Sequence, residues 1–205
     1  MERARNTLRG GGKKVLKKLS REYDYLKKAG VTRLARRYFV MNSFDGVLTT
    51  VGLLSGAYVG GIKDSALILT IGISAGIAIA MSGGLGVFLT ESAERKIDLK
   101  AVNETWFKDY EEKKALRKAH SSAAYFLAAV DGLSPFAATL VVLSPFSFYP
   151  APQAYPIASF IAGACLFMLG SFLGSISKEN ALVYGFKMLL AGVAAAAASF
   201  LLLGG

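Results

Sequence analysis

Residues 38–60 read YFVMNSFDGVLTTVGLLSGAYVG. At about 1.5 Å of rise per residue, a helix of that length crosses the roughly 30 Å of hydrocarbon in a bilayer. One acidic residue, Asp45, interrupts it. A carboxylate placed in hydrocarbon is costly, and by default it marks a cation or proton pathway. The same arrangement recurs further along the chain, where Asp131 stands alone in a second long apolar stretch.

The chain of 205 residues is 53% hydrophobic, and its apolar residues fall in blocks rather than scattering. The blocks predict five membrane-spanning helices, over about 38–60, 65–90, 120–143, 157–177 and 181–203. The fold expected is all-α: an integral membrane protein with five transmembrane helices, an N-terminal amphipathic helix and a short helical cytosolic insert between helices 2 and 3. The organisation is then a basic amphipathic segment (1–37), helices 1–2 (38–90), an insert of mixed charge (91–119) and helices 3–5 (120–205). Within residues 13–37, Val15, Leu16, Leu19, Tyr23 and Leu26 recur at helical spacing among lysines and arginines. Such a helix suits an anionic membrane face. No short apolar region with a small-residue cleavage site follows, so a cleavable signal peptide is not expected. The lone Cys165 forms no internal disulfide.

Charge placement sets orientation. Of 24 Lys and Arg, 13 precede the first span and 8 lie between the second and third. All basic clusters share one side if the N-terminus is cytosolic, which leaves the C-terminus non-cytosolic. A prokaryotic plasma membrane is expected rather than an organelle. The net charge of +10 is therefore topological and lipid-directed, and nucleic acid is not an expected partner.

Several residues carry potential chemistry. Asn42, Ser43, Thr49 and Thr50 supply oxygen near Asp45. Asp131 falls near the midplane of the third span; it precedes Gly132, and Pro135 four residues on is expected to break the hydrogen-bond ladder and free a carbonyl. Asp-Gly thus occurs at like depth in two spans that run the same way, a hint of a parallel repeat. Met81, mid-span, offers a thioether suited to soft or borderline metals. In the insert, Glu91, Glu94 and Asp98 share a helical face, and Glu104, Asp109, Glu111 and Glu112 follow. Two such helices could chelate a divalent metal, or they could be solvated helices laced with ion pairs. Glycines at 52, 56 and 60, and at 72, 76, 83, 84 and 86, permit close helix approach within a chain or between subunits. No nucleophile elbow, phosphate loop, zinc motif or nucleotide fingerprint is present, so an enzyme is not expected.

The run from Met41 to Gly56 (MNSFDGVLTTVGLLSG) resembles the first span of the vacuolar iron transporter family, with its Asn-Asp-Gly, hydroxyl-bearing stretch and glycine-containing apolar run. Ala80-Met81-Ser82-Gly83-Gly84, the insert, the Gly132…Pro135 pair and the closing Phe186-Lys187-Met188-Leu189-Leu190-Ala191-Gly192 are similar to the family as well. The resemblance covers most of residues 38–203. It implies a homodimer that exports Fe²⁺ or Mn²⁺ from the cytosol in exchange for protons. The metal is transported substrate, and no permanently bound cofactor is implied. Asp45 would be the pathway aspartate and Met81 the pathway methionine. The insert, with Glu91, Glu94, Asp98, Glu104, Glu111 and Glu112, would be a shortened metal-capturing domain. Phe44 stands where the family usually has Asn, and Gly84-Leu85-Gly86 lacks the family's glutamate; Asp131 is the candidate to replace that charge. The competing readings are a carrier for another cation or small solute, and a non-transporting membrane scaffold.

Overall fold

The computed structural model describes the backbone of residues 31–105 and 110–204, and the side chains of 31–94 and 122–204. Five α-helices and one 3-10 turn make up these residues, with no strand among them. In chain order they are α1 (Val31–Val59), α2 (Ser65–Thr105), α3 (Tyr110–Leu143), the turn Ser144–Ser147, α4 (Ala151–Ser177) and α5 (Ala181–Leu203). Among the described residues four helices are long and apolar enough to cross a membrane, namely α2, α3, α4 and α5. The exception is α1, whose apolar residues are diluted by Asn42, Asp45, Thr49 and Thr50.

Several boundaries differ from the sequence expectation. The first helix begins at Val31, because nothing between Val31 and Tyr38 breaks it. The stretch 1–30, with most of the expected amphipathic segment, lies outside the described residues. The insert is not a separate unit in the described backbone: α2 runs without a break to Thr105, and α3 starts at Tyr110. Helix α3 also continues through Pro135, where a broken ladder was expected. Proline removes only one donor, so the Asp131 carbonyl loses its i+4 partner while the helix path survives. Helix α4 begins at Ala151, because Pro152 and Pro156 fall in its opening turns. Helix ends are capped where the sequence supplies the residue: Asp64 accepts from Ala66 N (2.8 Å), and Asn180 from Leu182 N (3.0 Å).

Helix α3 lies between α1 and α2. Its seam with α1 keeps one residue offset throughout, 89 both at Asn42–Asp131 and at Thr50–Thr139, with Gly46 against Pro135 midway. A constant difference means parallel helices. Against α2 the contacts instead run in opposite order: Gly72 meets Leu143, Gly76 meets Thr139, and Gly84 meets Gly132. Those two helices are antiparallel. Likewise α4 and α5 form an antiparallel pair, closed by Gly170 on Gly185 and Gly174 on Ala181. Helix α1 packs on this pair, with Gly52 and Gly56 facing Ser199 and Leu203 at ordinary contact distance. The glycine rows are thus used for packing inside the chain, except Gly60, whose side meets only its own turn, and Gly86, which faces open space among the described residues.

The buried residues are mostly small or medium: Val47, Ala151, Ala154, Ala158, Ala162, Ile68 and Leu166. Large side chains stand outside, including Phe160 (78% exposed), Leu201 (81%) and Leu202 (83%). This inversion suits lipid as the solvent, where helices associate through close backbone approach rather than by burying oil. Tyr155 donates to the Ile62 carbonyl (2.9 Å) and so ties α4 to the α1–α2 turn. At that end a cavity of about 640 Å³ opens between α1, α4 and α5, bordered by Tyr58, Tyr155 and Phe200.

Candidate functional site

The two intramembrane aspartates, alike in sequence, occupy opposite environments. Asp131 is 5% exposed, at the meeting of three helices. Its Oδ1 accepts from Asn42 Nδ2 of α1 at 2.5 Å, and the same nitrogen donates to the Tyr38 carbonyl at 2.9 Å. Its Oδ2 rests on Gly83 of α2, where a Cβ would stand 2.5 Å away. Asp45, three residues after Asn42, is exposed on the surface of the molecule. No described residue gives its carboxylate a hydrogen bond or ion pair. It lies on one stripe of α1 with Met41 and Thr49, both exposed and each one turn away.

Met81 is also open, at 57% exposure. It belongs to the outer face of α2 with Ile77, Ala78, Ser82 and Leu85. This face turns away from α3, because the glycines and Ala80 of α2 take the inner side. A thioether on α2 and a carboxylate on α1 therefore both project outward, each among outward side chains that are apolar, small or neutral hydroxyls.

Toward the N-terminal end of α1, Tyr38 donates through its hydroxyl to Glu91 Oε1 at 3.2 Å, joining α1 to α2. Glu91 is buried, whereas Glu94 is exposed. The side chains of Asp98, Glu104, Glu111 and Glu112 lie outside the described residues. Among the described residues no three of His, Cys, Asp and Glu converge as a metal-holding group. Among the described residues the structure brings the expected donors Asn42 and Asp131 together and binds them to each other.

Deeper along the α1–α3 seam, Thr50 Oγ1 approaches the Gly46 carbonyl (2.7 Å) and Thr139 Oγ1 (3.2 Å) in a fully buried polar knot. Thr139 and Tyr38 were not singled out from sequence. The signal that could have found Thr139 is its spacing: eight residues separate Asp131 from Thr139, as eight separate Asn42 from Thr50. A second cavity, about 370 Å³, lies between α1, α3 and α4, with Ser43 and Ser134 in an otherwise apolar wall.

The VIT family profile matches residues 36–115, which cover α1, α2 and the start of α3. An uncharacterized protein of Methanocaldococcus jannaschii is 32% identical over 168 residues, covering 81% of this chain and 87% of the relative.

Proposed function

We propose a metal-transport function for this chain, which belongs to the VIT family: passage of a divalent transition metal, Fe²⁺ or Mn²⁺, out of the cytosol in exchange for protons. The reading rests on one observation above all. Asp45 is a carboxylate on the exposed face of α1, and no described residue pairs or buries it. A charge facing lipid is expensive, so it is kept where a cation or a second subunit meets it. A homodimer that brings two α1 and α2 faces together would supply both. Two Asp45 carboxylates and two Met81 thioethers would then surround one passage, a mixed hard and soft donor set suited to borderline metals.

Helix α1 counts as the fifth span in this reading. It runs parallel to α3 and α5 and packs along them through the same layer. Polar residues lower its hydropathy because it carries the pathway. The N-terminus is cytosolic and the C-terminus is on the far side, since Arg33, Arg36, Arg37 and Lys178 gather at one end. The extensions of α2 and α3 beyond the membrane form the cytosolic insert, whose acidic residues would collect cargo at the entrance.

Reconstitution into liposomes tests the proposal. Uptake of Fe²⁺, Mn²⁺ and Co²⁺ is followed with and without a pH gradient. Metal uptake that rises when the lumen is the more acidic side, so that protons leave as metal enters, supports exchange. Absence of flux for all three ions, from protein that is folded and inserted, excludes metal transport.

A further inference from the structure

We infer that Asp131 is a positioning residue, a clamp that holds α1 and α2 against α3 and so fixes where Asp45 and Met81 stand. The inference rests on the reading of Asp45 and Met81 as pathway residues. It assigns Asp131 a role different from that of cargo ligand or replacement charge.

Each oxygen of the carboxyl is committed to a different helix. Oδ1 receives Asn42 of α1, and Oδ2 lies against the Gly83 backbone of α2. The pairing with Gly83 is specific. A Cβ there would meet Oδ2 at 2.5 Å, whereas the Asp131 Cγ lies 3.6 Å away and its carbonyl oxygen 3.9 Å away. Only the carboxyl oxygen makes glycine necessary. On the other side the Asn42 amide nitrogen is fully used, because it donates to both the Tyr38 carbonyl and Asp131. Turning the amide over would lose both bonds. The Tyr38–Glu91 bond ties α1 to α2 further toward the N-terminal end of α1. Helices α1 and α2 touch each other lightly, so polar ties through α3 and Glu91 set their relation.

The geometry shows why such a clamp matters. Asn42 precedes Asp45 by three residues, and Gly83 follows Met81 by two. Helical side chains end about 5–6 Å from the axis, so a rotation of roughly 10° carries a ligand atom about 1 Å. Metal–ligand distances tolerate only about 0.2 Å. Small rotations of α1 or α2 would therefore spoil a shared site, and Asp131 resists both. Its burial fits a clamp better than a cargo site, and the cavity between α1, α3 and α4 ends at Ser43 and Ser134 without reaching it.

The test compares Asp131→Asn, Asp131→Ala, Gly83→Ala and the double variant Gly83→Ala/Asp131→Ala in proteoliposomes, with folded protein measured in parallel. Asparagine keeps an oxygen for Asn42 and loses only the charge. Asp131→Asn should retain Mn²⁺ flux within about 2-fold, while Asp131→Ala should raise the KM for metal by about 10-fold, the scale typical of lost supporting contacts. Gly83→Ala should also impair transport, and in the Asp131→Ala background it should add no further loss. Asp131→Asn as inactive as Asp45→Asn, with the fold intact, would overturn the clamp in favour of a cargo ligand. Unchanged KM in Asp131→Ala would overturn it too.

A transport-independent measurement separates this inference from the proposed function. Spin labels at Thr49→Cys and Ser82→Cys, in a Cys165→Ser background, report the α1–α2 distance. The distribution should broaden in Asp131→Ala and stay narrow in Asp131→Asn. A distribution unchanged by Asp131→Ala refutes the clamp, whether or not the protein moves metal.

Discussion

Replacing Gly46 by alanine should destabilise the protein, against the usual trend for glycine in a helix. The added Cβ would lie 2.7 Å from the Cα of Pro135 and 2.9 Å from its carbonyl carbon. Ordinary carbon–carbon contact lies near 3.5 Å, so α1 and α3 must part by roughly 0.6–0.8 Å at this level. The obstacle is helical backbone, held by a proline ring, and it cannot swing aside as a side chain would. One turn on, the Thr50–Thr139 contact at 3.2 Å would open beyond good hydrogen-bond range. Overpacking of this kind costs about 1–3 kcal/mol, and an interhelical hydrogen bond in lipid contributes about 0.6 kcal/mol. Alanine returns about 1 kcal/mol of helix propensity. The balance is a loss of about 0.6–2.6 kcal/mol, which lowers the unfolding midpoint by about 1–10 °C for a chain of this size. Gly86→Ala is the matched control. No atom lies within 4 Å of its added Cβ, so propensity alone acts and the midpoint should hold or rise. Thermal unfolding in detergent, followed by circular dichroism, reads both. A Gly46→Ala midpoint equal to or above wild type would show that α1 and α3 do not cross closely there, and the parallel seam would be wrong.

Two further predictions follow from topology and donor chemistry. In a Cys165→Ser background, Lys63→Cys should react with a membrane-impermeant thiol reagent from the non-cytosolic side, and Lys178→Cys only from the cytosolic side; labelling of both from one side would contradict an alternating five-span path. Met81→Leu, close in volume and on an open face, should leave stability within about 1.5 kcal/mol of wild type yet lower Fe²⁺ flux relative to Mg²⁺ or Ca²⁺, because the soft donor is gone. An unchanged ion ranking in that variant would remove Met81 from the pathway.

The apolar blocks and breakers carried much of the architecture in plain view. The range of α5 matches its block because Asn180 caps one end and the apolar run stops at Leu203. The starts of α1 and α4 were hidden, since charged or proline-containing turns can still be helical when they precede the membrane. The difference between Asp45 and Asp131 was not legible either. Adjacent residues on a helix point about 100° apart, so an aspartate before a glycine faces in or out according to which side its neighbours occupy. That side is a property of packing: Gly46 and Gly132 both turn inward, but α3 has helices on two flanks and so buries Asp131 as well. The many glycines left subunit contact and internal packing equally open, and Gly72, Gly76, Gly83 and Gly84 of α2 prove to serve internal packing against α3.

Mn²⁺ flux through proteoliposomes, compared between wild type and Asp45→Asn at equal amounts of inserted protein, bears most directly on the exposed carboxylate as the cation's meeting point. Asparagine preserves shape and removes charge from a side chain that no described residue bonds, so stability should be unchanged while flux falls by at least about 10-fold. Wild-type flux in Asp45→Asn would mean that this carboxylate takes no part in moving metal.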